Sequence, residues 1–179
     1  DTYWSDVVER TFDSIGDFIV NDISAGEDDP RMLSLVGSLG LTYVAMHKRG
    51  TPATMQSMTD YEDVTSTVAD YFADFSIRAA QAGVSGWILD PGFGFAKTLE
   101  QNYELMRGLS VFKDAFPSNR LLVGVSRKSM VYRLLGITPE ESLPATQVLH
   151  LHALQNGADI LRVHDVVEAS QTVSLYRAL

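Results

Sequence analysis

Short apolar runs alternate along the chain with segments of helical periodicity. The runs are apolar along their whole length, as is typical of strands covered on both faces of a parallel sheet. The predicted strands are Phe18 to Ser24, Leu41 to Met46, Gly86 to Asp90, Leu121 to Ser126 and Ala158 to His164. Strands that alternate with helices indicate βα units and therefore the α/β class.

Capping signals mark where the helices between these runs begin. Thr59 and Glu62 have the spacing of a capping box ahead of an apolar stripe that starts at Val64, and Gly83 is expected to end that helix. Similar signals occur at Thr98 with Gln101, and at Thr138 with Pro139 and Glu141. Units of this kind build either a doubly wound sheet or a (β/α)8 barrel, and periodicity does not separate the two.

Composition restricts the class of protein. The chain has 179 residues, 45% of them hydrophobic, and no linker composition, which predicts a single domain over residues 1–179. The lack of cysteine excludes disulfide scaffolds and thiolate metal sites. A net charge of -9 argues against nucleic acid as a partner, and the absence of a membrane-spanning run or signal peptide predicts a cytoplasmic protein.

Polar residues follow every predicted strand, at the edge where parallel α/β folds bind ligands. Six of the 14 basic residues lie there: Lys48, Arg49, Lys97, Arg127, Lys128 and Arg162. This concentration in an acidic chain favours an anionic ligand. The alternative is that strand ends are simply where chains become polar.

Arg162 and His164 stand one residue apart on a predicted strand, so their side chains are expected to point the same way. A guanidinium beside an imidazole suits a phosphate or pyrophosphate group. The alternative is that Arg162 forms an ion pair with a neighbouring carboxylate, Asp159 or Asp165.

Asn21 and Asp90 end two other predicted strands and supply an amide and a carboxylate. This mixture of donors and acceptors suits a flat heterocycle with ring nitrogens, although both residues could instead cap the loops that follow. The segment from Asp90 to Thr98 is the most specific part of the sequence. Its two glycines and two aromatic residues predict a tight loop that presents a ring to a ligand.

Six ordered motifs of this chain resemble those of the dihydropteroate synthases, within the pterin-binding family. They are Asp1-Thr2-Tyr3, Asn21-Asp22-Ile23, Met46-His47-x-Arg49-Gly50-Thr51-Pro52, Asp90 to Thr98, Gly124-x-Ser126-Arg127-Lys128-Ser129 and Arg162-Val163-His164-Asp165-Val166. The resemblance implies a (β/α)8 TIM barrel that joins 6-hydroxymethyl-7,8-dihydropterin pyrophosphate to p-aminobenzoate and releases pyrophosphate, with Mg2+ present. It also implies a homodimer and sensitivity to sulfonamides.

The same resemblance implies that the chain is incomplete at its amino terminus. Members of the family begin with a strand bearing an Asn-x-Thr-Pro-Asp-Ser-Phe loop and a second bearing a Ser-Thr-Arg-Pro loop, and neither occurs here. Asp1 would be the end of the third strand, so the chain would supply roughly strands 3 to 8, with the first two βα units absent. Such a chain is not expected to close the barrel alone.

Site residues follow from the resemblance by matching motifs. Four residues would hold the pterin and a fifth would pack on its ring: Asp1, Asn21, Asp90 and Lys128, and Met46. Two residues would bind pyrophosphate and three would border the aminobenzoate: Arg162 and His164, and Phe95, Lys128 and Ser129. The expected catalytic residues are Asp90, Lys128, Arg162 and His164, and the metal ligands are left unassigned.

Two other functions fit the same residues. A pterin-dependent methyltransferase shares the barrel and the pterin-binding carboxylate and amide, but it would have no use for an anion site at Arg162 and His164. A non-catalytic fragment or subunit could bind pterin weakly or serve as a partner surface.

Overall fold

A parallel sheet forms the centre of the protein in a computed structural model that describes residues 1–51 and 53–179. All five predicted strands are present, each shorter than its apolar run. They are β1 (Ile19–Asp22), β2 (Thr42–Met46), β3 (Trp87–Asp90), β4 (Arg120–Val123) and β5 (Ile160–Leu161).

The strands lie side by side in sequence order, and every neighbouring pair is parallel. Met46 of β2 lies opposite Asp90 of β3 in the register of the sheet. A doubly wound sheet would reverse its order at a switch point, so the structure confirms the barrel type of the two alternatives. β1 and β5 stay at the two edges, and the described residues therefore form part of a barrel.

The first residues of the chain run beside β1. The Thr2 backbone N–H donates to the Asn21 carbonyl at 3.1 Å, at the place where the end of a preceding strand is predicted. Helix α1 (Ser5–Ile15) follows directly. The first residues of the chain therefore lie beside β1 and lead directly into a helix.

Helices connect the strands and cover one face of the sheet. After α1 they are α2 (Met32–Leu39), α3 (Val64–Gln81), α4 (Leu99–Arg107), α5 (Leu109–Ala115), α6 (Ser129–Leu135), α7 (Leu143–Gln155) and α8 (Val166–Ala178), with 3₁₀ turns at Met55–Ser57 and Glu140–Ser142. Among the described residues, no helix combines the length and the apolar character that crossing a membrane requires.

The predicted start signals at Thr98 and Thr138 are both present, each as a reciprocal pair of hydrogen bonds. The Gln101 backbone N–H donates to the Thr98 hydroxyl at 3.2 Å and the Thr98 N–H donates to the Gln101 side chain at 2.9 Å, which starts α4. Thr138 and Glu141 exchange the same two bonds at 2.9 and 3.4 Å, ahead of a 3₁₀ turn. These local signals were readable because each needs only four consecutive residues.

The capping box predicted at Thr59 and Glu62 is wrong. Helix α3 begins after Asp63, whose extended backbone lets its carboxylate accept the Ser66 N–H at 2.7 Å. The Thr59 carbonyl instead accepts a bond from the side chain of Gln101. Asp63 replaces Thr59 as the cap because it directly precedes the first helical residue.

Alternation along the strands divides the core into two layers. The larger layer lies between sheet and helices and includes Tyr43, Phe72, Phe75, Leu89 and Phe112. The smaller layer, on the other face of the sheet, consists of Val44, Ile88, Leu122 and the partly buried Ile160. That second face is the interior side of the barrel, and its side chains lead toward the candidate site.

Candidate active site

The candidate site continues the interior layer at the carboxyl edge of the sheet. Side chains two residues apart on a strand share a face, so the positions after the interior apolar residues lie above them. These positions are Met46, Asp90, Gly124 and Arg162. Asn21 is paired with Val44 in the register and joins the same face.

Asp90 is the most deeply buried charged residue of this set, with 1% of its surface exposed. Its Oδ1 accepts the Gly92 backbone N–H at 2.9 Å, as expected for a residue that caps the following loop. Among the described residues, no donor forms a hydrogen bond with its Oδ2. Buried acceptors are rarely left without a donor, so this oxygen is available to a ligand.

Arg162 connects Asp90 with the opposite edge of the sheet. Its Nη2 lies 3.0 Å from Asp90 Oδ2, as an ion pair without hydrogen-bond alignment. Its Nη1 lies 3.5 Å from Asn21 Oδ1. A β-carbon on Gly124 would lie 2.9 Å from Nη2, so the missing side chain of this glycine makes room for the guanidinium.

The alternative prediction, that Arg162 forms an ion pair with Asp159 or Asp165, is wrong. Asp159 is paired with Lys113 at 2.9 Å, and Asp165 takes two bonds from Arg127 at 2.9 and 2.6 Å. Each of these carboxylates thus has another cation as its partner. Arg162 is left with Asp90 as its acidic partner.

The strand-end cations do not form one cluster, and this corrects the expectation from the sequence. Arg127 has its own carboxylate partner, and Lys48 pairs with Asp28 at 3.0 Å. The Arg49 guanidinium stacks 3.8 Å from the centre of the Tyr61 ring. These three charges are therefore used within the protein.

Asp1, Asn21, Phe95 and Arg162 line one cavity of about 400 Å³. The Asn21 side-chain amide donates to the Asp1 carboxylate within it. The structure thus brings together four of the residues that the sequence assigns to ligand binding. The cavity offers an aromatic wall, an amide, a carboxylate and a guanidinium, a set that fits a polar planar ligand.

The loop between β3 and α4 packs closely against the backbone of the segment that follows β2. Gly92 has a φ of +72°, and a β-carbon on it would lie 1.9 Å from the His47 carbonyl oxygen. The Lys128 ammonium donates to the Phe93 carbonyl at 2.5 Å and lies 5.1 Å from the centre of the Phe95 ring. Burial lowers the pKa of Lys128 to about 8, against the opposing effect of the Asp90 charge.

Lys97 and His47 form a buried pair that sequence reasoning did not identify. The Lys97 ammonium lies 3.0 Å from His47 Nδ1 and also donates to two loop carbonyls. Burial lowers the pKa of Lys97 to about 7 and that of His47 to about 2, so the imidazole is neutral. The sequence gives little indication of this pair, because nothing in the pattern around Lys97 or His47 predicts that their side chains are buried.

Five predicted site residues are not among those that line the cavity of Asn21: Met46, Asp90, Lys128, Ser129 and His164. Ser129 lines a separate cavity of about 380 Å³, together with Gly94 and Lys97 of the loop. His164 Nδ1 lies 3.0 Å from the Ser126 hydroxyl, and β5 ends at Leu161, so the strand alternation that would align His164 with Arg162 does not continue. Met46 is completely buried beside Asp90. Pro52 lies outside the described residues.

The described side chains do not fit a resident metal ion. Residues 1–51 and 53–179 contain no group of three or more His, Asp or Glu side chains that could hold one. The free oxygen of Asp90 faces the guanidinium of Arg162, and a positive neighbour disfavours a dication.

Comparison with known proteins identifies the family of this chain. The family model described as pterin binding enzyme matches residues 1–164. A dihydropteroate synthase of Escherichia coli (strain K12) is 39% identical over 96% of this chain and 60% of its own length. One from Synechocystis is 39% identical over the whole chain and 62% of its own length. The chain thus spans about 60% of the length of these two relatives.

Solved structures show the same fold with bound ligands. A dihydropteroate synthase from Thermus thermophilus, in complex with 4-aminobenzoate, has a TM-score of 0.93 and 35% identity over 100% of this chain and 72% of that one. The Yersinia pestis synthase in a sulfonamide drug complex has a TM-score of 0.93 and 33% identity over 99% of this chain and 64% of that one. The chain therefore belongs to the pterin-binding enzyme family.

Proposed function

We propose that this chain provides the substrate-binding part of a dihydropteroate synthase. The reaction joins 6-hydroxymethyl-7,8-dihydropterin pyrophosphate to p-aminobenzoate and gives 7,8-dihydropteroate and pyrophosphate, a step of folate biosynthesis. The observation that carries the proposal is the buried Oδ2 of Asp90, which accepts no hydrogen bond among the described residues. This oxygen pairs with Arg162, and Arg162 lines a cavity together with Asn21 and Phe95.

Pterin recognition uses the acceptors of the interior face. A pterin ring presents an amino group and a ring N–H along one edge, and a carboxylate can accept from both. Asp90 Oδ2 has this capacity, and the Asn21 amide offers both a donor and an acceptor nearby. A charged hydrogen bond in a buried place is stronger than one in water, which favours Asp90 as the anchor.

The chemical step requires charge neutralisation at the leaving group. The bond between the pterin methylene carbon and the pyrophosphate oxygen breaks, and its electron pair leaves with the pyrophosphate. The electron-rich pterin stabilises the positive carbon, the amine lone pair then forms the new C–N bond, and the nitrogen loses a proton. Arg162 would bind the departing anion, with His164 held by Ser126 as the second candidate.

This step needs no covalent bond to the protein. Asp90 would counter the positive charge of the pterin while Lys128, which lies over the Phe95 ring, would hold the second substrate. The loop backbone around Phe93 fixes the place of that lysine. Positioning of two substrates and stabilisation of charge are then the protein's contributions.

Four further features are proposed from the resemblance. Mg2+ is expected to bind together with the pyrophosphate, since the described side chains form no metal site of their own. Homodimer formation and a cytoplasmic location stay predictions. A sulfonamide is expected to compete with p-aminobenzoate, since the Yersinia pestis relative was crystallised with such a drug.

The proposal is tested with Arg162→Ala in the protein that the complete gene encodes. Affinity for the pyrophosphate-bearing pterin should fall by about tenfold or more, and affinity for the bare hydroxymethylpterin should change by less than about threefold. Arg127→Ala is the matched control, because that guanidinium is bound by Asp165 and should affect stability more than either affinity.

The outcomes separate the candidate functions. Turnover of both substrates by the wild-type protein supports the synthase. Equal affinity of the wild-type protein for the two pterins would instead favour the methyltransferase. Pterin binding without turnover would favour the non-catalytic subunit.

A further inference from the structure

Lys97 is a buried lysine, and burial of an ammonium costs more free energy than burial of an apolar side chain. Only 4% of its surface is exposed, and burial lowers its pKa to about 7. The charge of Asp90 opposes this decrease, while Lys128 and Arg49 add to it. Its environment contains no hydrogen-bonded carboxylate among the described residues, so Lys97 is not one half of a buried salt bridge.

Three neutral acceptors surround the ammonium. The carbonyls of Gly92 and Phe95 accept at 3.0 and 3.1 Å, and His47 Nδ1 lies at 3.0 Å. In its charged form Lys97 has three N–H groups and no acceptor, and in that form His47 accepts the third bond through an unprotonated Nδ1. The low pKa of His47, caused first by burial, agrees with that role.

These bonds join two separate segments of the chain. Gly92 and Phe95 belong to the loop after β3, whereas His47 directly follows β2. The backbone between Gly92 and Lys97 includes two glycines and Ala96, all with positive φ, and at an alanine this conformation must be held by surrounding contacts. Lys97 supplies part of this restraint, beside the bonds that Asn102 and Lys128 make to the backbone of Gly94 and Phe93.

Phe95 and Asp90 depend on this restraint to different degrees. The Phe95 carbonyl is bound directly by Lys97. Asp90 is the last residue of β3, is paired with Met46, and its carbonyl accepts the His47 backbone N–H at 3.0 Å. Loss of the Lys97 side chain should thus release the loop around Phe95 and leave Asp90 in place.

We propose that Lys97 is a positioning residue that holds the Phe95 ring at the wall of the cavity, where it would contact p-aminobenzoate. This rests on the proposed function, since Phe95 borders that substrate only if the protein is a synthase. Methionine at position 97 would fill the space without a buried charge but would leave both loop carbonyls without their donor. The lysine is explained by the bonds to the loop, not by the stability of the core.

The first experiment compares Lys97→Met with wild type in the protein that the complete gene encodes. The KM for p-aminobenzoate should rise about tenfold or more, while the KM for the pterin pyrophosphate should stay within about threefold. Lys113→Met is the control, because Lys113 also donates to a backbone carbonyl and to Asp159, at the opposite edge of the sheet. It should lower the melting temperature and leave the ratio of the two KM values unchanged.

The second experiment asks whether Lys97 acts through Phe95. In a Phe95→Ala background, Lys97→Met should raise the KM for p-aminobenzoate by less than about twofold, because the ring it positions is gone. Additive effects of the two substitutions would overturn the proposal. If Lys97→Met does not fold, Lys97→Gln, which retains two N–H groups, should show a smaller rise in the same KM.

Failure of the positioning role differs from failure of the proposed function. A wild-type protein that does not join the two substrates contradicts the function itself. A wild-type protein that is active, with a Lys97→Met variant in which both KM values rise equally or neither changes, contradicts only the positioning role.

Discussion

Replacement of Asp90 by asparagine separates the two tasks of this carboxylate. Asparagine keeps one oxygen, which can accept the Gly92 N–H that now lies 2.9 Å from Oδ1, so the loop should keep its turn. The amide nitrogen takes the place of Oδ2, the oxygen without a donor. A donor at that position faces Arg162 and cannot accept from the N–H groups of a pterin.

The structure sets the size of the expected effect. The Arg162 side chain is 37% exposed, so water screens its pairing with Asp90 and its charge can be solvated when the carboxylate is lost. The main loss is then that of charged hydrogen bonds to the ligand, at about 1.5–3 kcal/mol each. With one to two such bonds, we expect about 2–4 kcal/mol, or about a 30- to 1000-fold rise in Kd.

Calorimetric titration with a pterin that lacks pyrophosphate measures this effect without the contribution of the anion site. Asp159→Asn is the control, since that carboxylate accepts from Lys113 at 2.9 Å and from the Leu121 N–H at 2.8 Å at the other end of the sheet. The control should melt at a lower temperature and bind the pterin normally. An unchanged Kd in Asp90→Asn would refute the pterin assignment.

Three further predictions concern the surroundings of this carboxylate. Gly124→Ala places a methyl group 2.9 Å from Nη2 of Arg162, so binding of the pyrophosphate-bearing pterin should weaken about tenfold in calorimetry; tight binding with an unaltered melting temperature would contradict this. Gly92→Ala should lower the free energy of unfolding by at least about 3 kcal/mol, because its β-carbon would lie 1.9 Å from a carbonyl oxygen at a φ of +72°. Denaturant titration measures this loss, and a variant as stable as wild type would be inconsistent with the loop geometry. The pKa values of Lys97 and Lys128, about 7 and 8 when folded against 10.5 when unfolded, mean that the folded state binds fewer protons between pH 7 and pH 10. Their contribution to stability should therefore rise with pH, by up to about 1.4 kcal/mol per pH unit for each lysine, and Lys97→Met should show a flatter profile in urea titrations at several pH values.

The common edge of Asn21, Asp90 and Arg162 could be predicted from the sequence. Short apolar runs predict strands, and parallel strands place their carboxyl ends at one edge of the sheet. The alternation of side chains then puts these residues above the interior apolar layer. All of this depends on local pattern, which the chain carries within a few residues of each strand.

The partners of the charged residues could not be predicted in the same way. Arg127 and Asp165 are 38 positions apart, and nothing in their local sequence distinguishes this pair from the pairing of Arg162 with Asp165. The burial of Lys97 and the separation of Ser129 from the main cavity likewise depend on how the loop folds over the sheet. Such properties arise from tertiary packing, which a local pattern does not contain.

The approach of Arg162 to Asn21 has a consequence for the order in which the protein folds. The two residues are 141 positions apart and belong to the two edges of the sheet, which are not paired with each other. They approach each other because the sheet curves. Neighbouring strands can therefore pair early in folding, whereas this contact forms only after β5 has joined the sheet. A ligand that binds both Arg162 and Asn21 would stabilise the curved sheet. A substitution that flattens the sheet would abolish binding of that ligand even at a position that does not contact it.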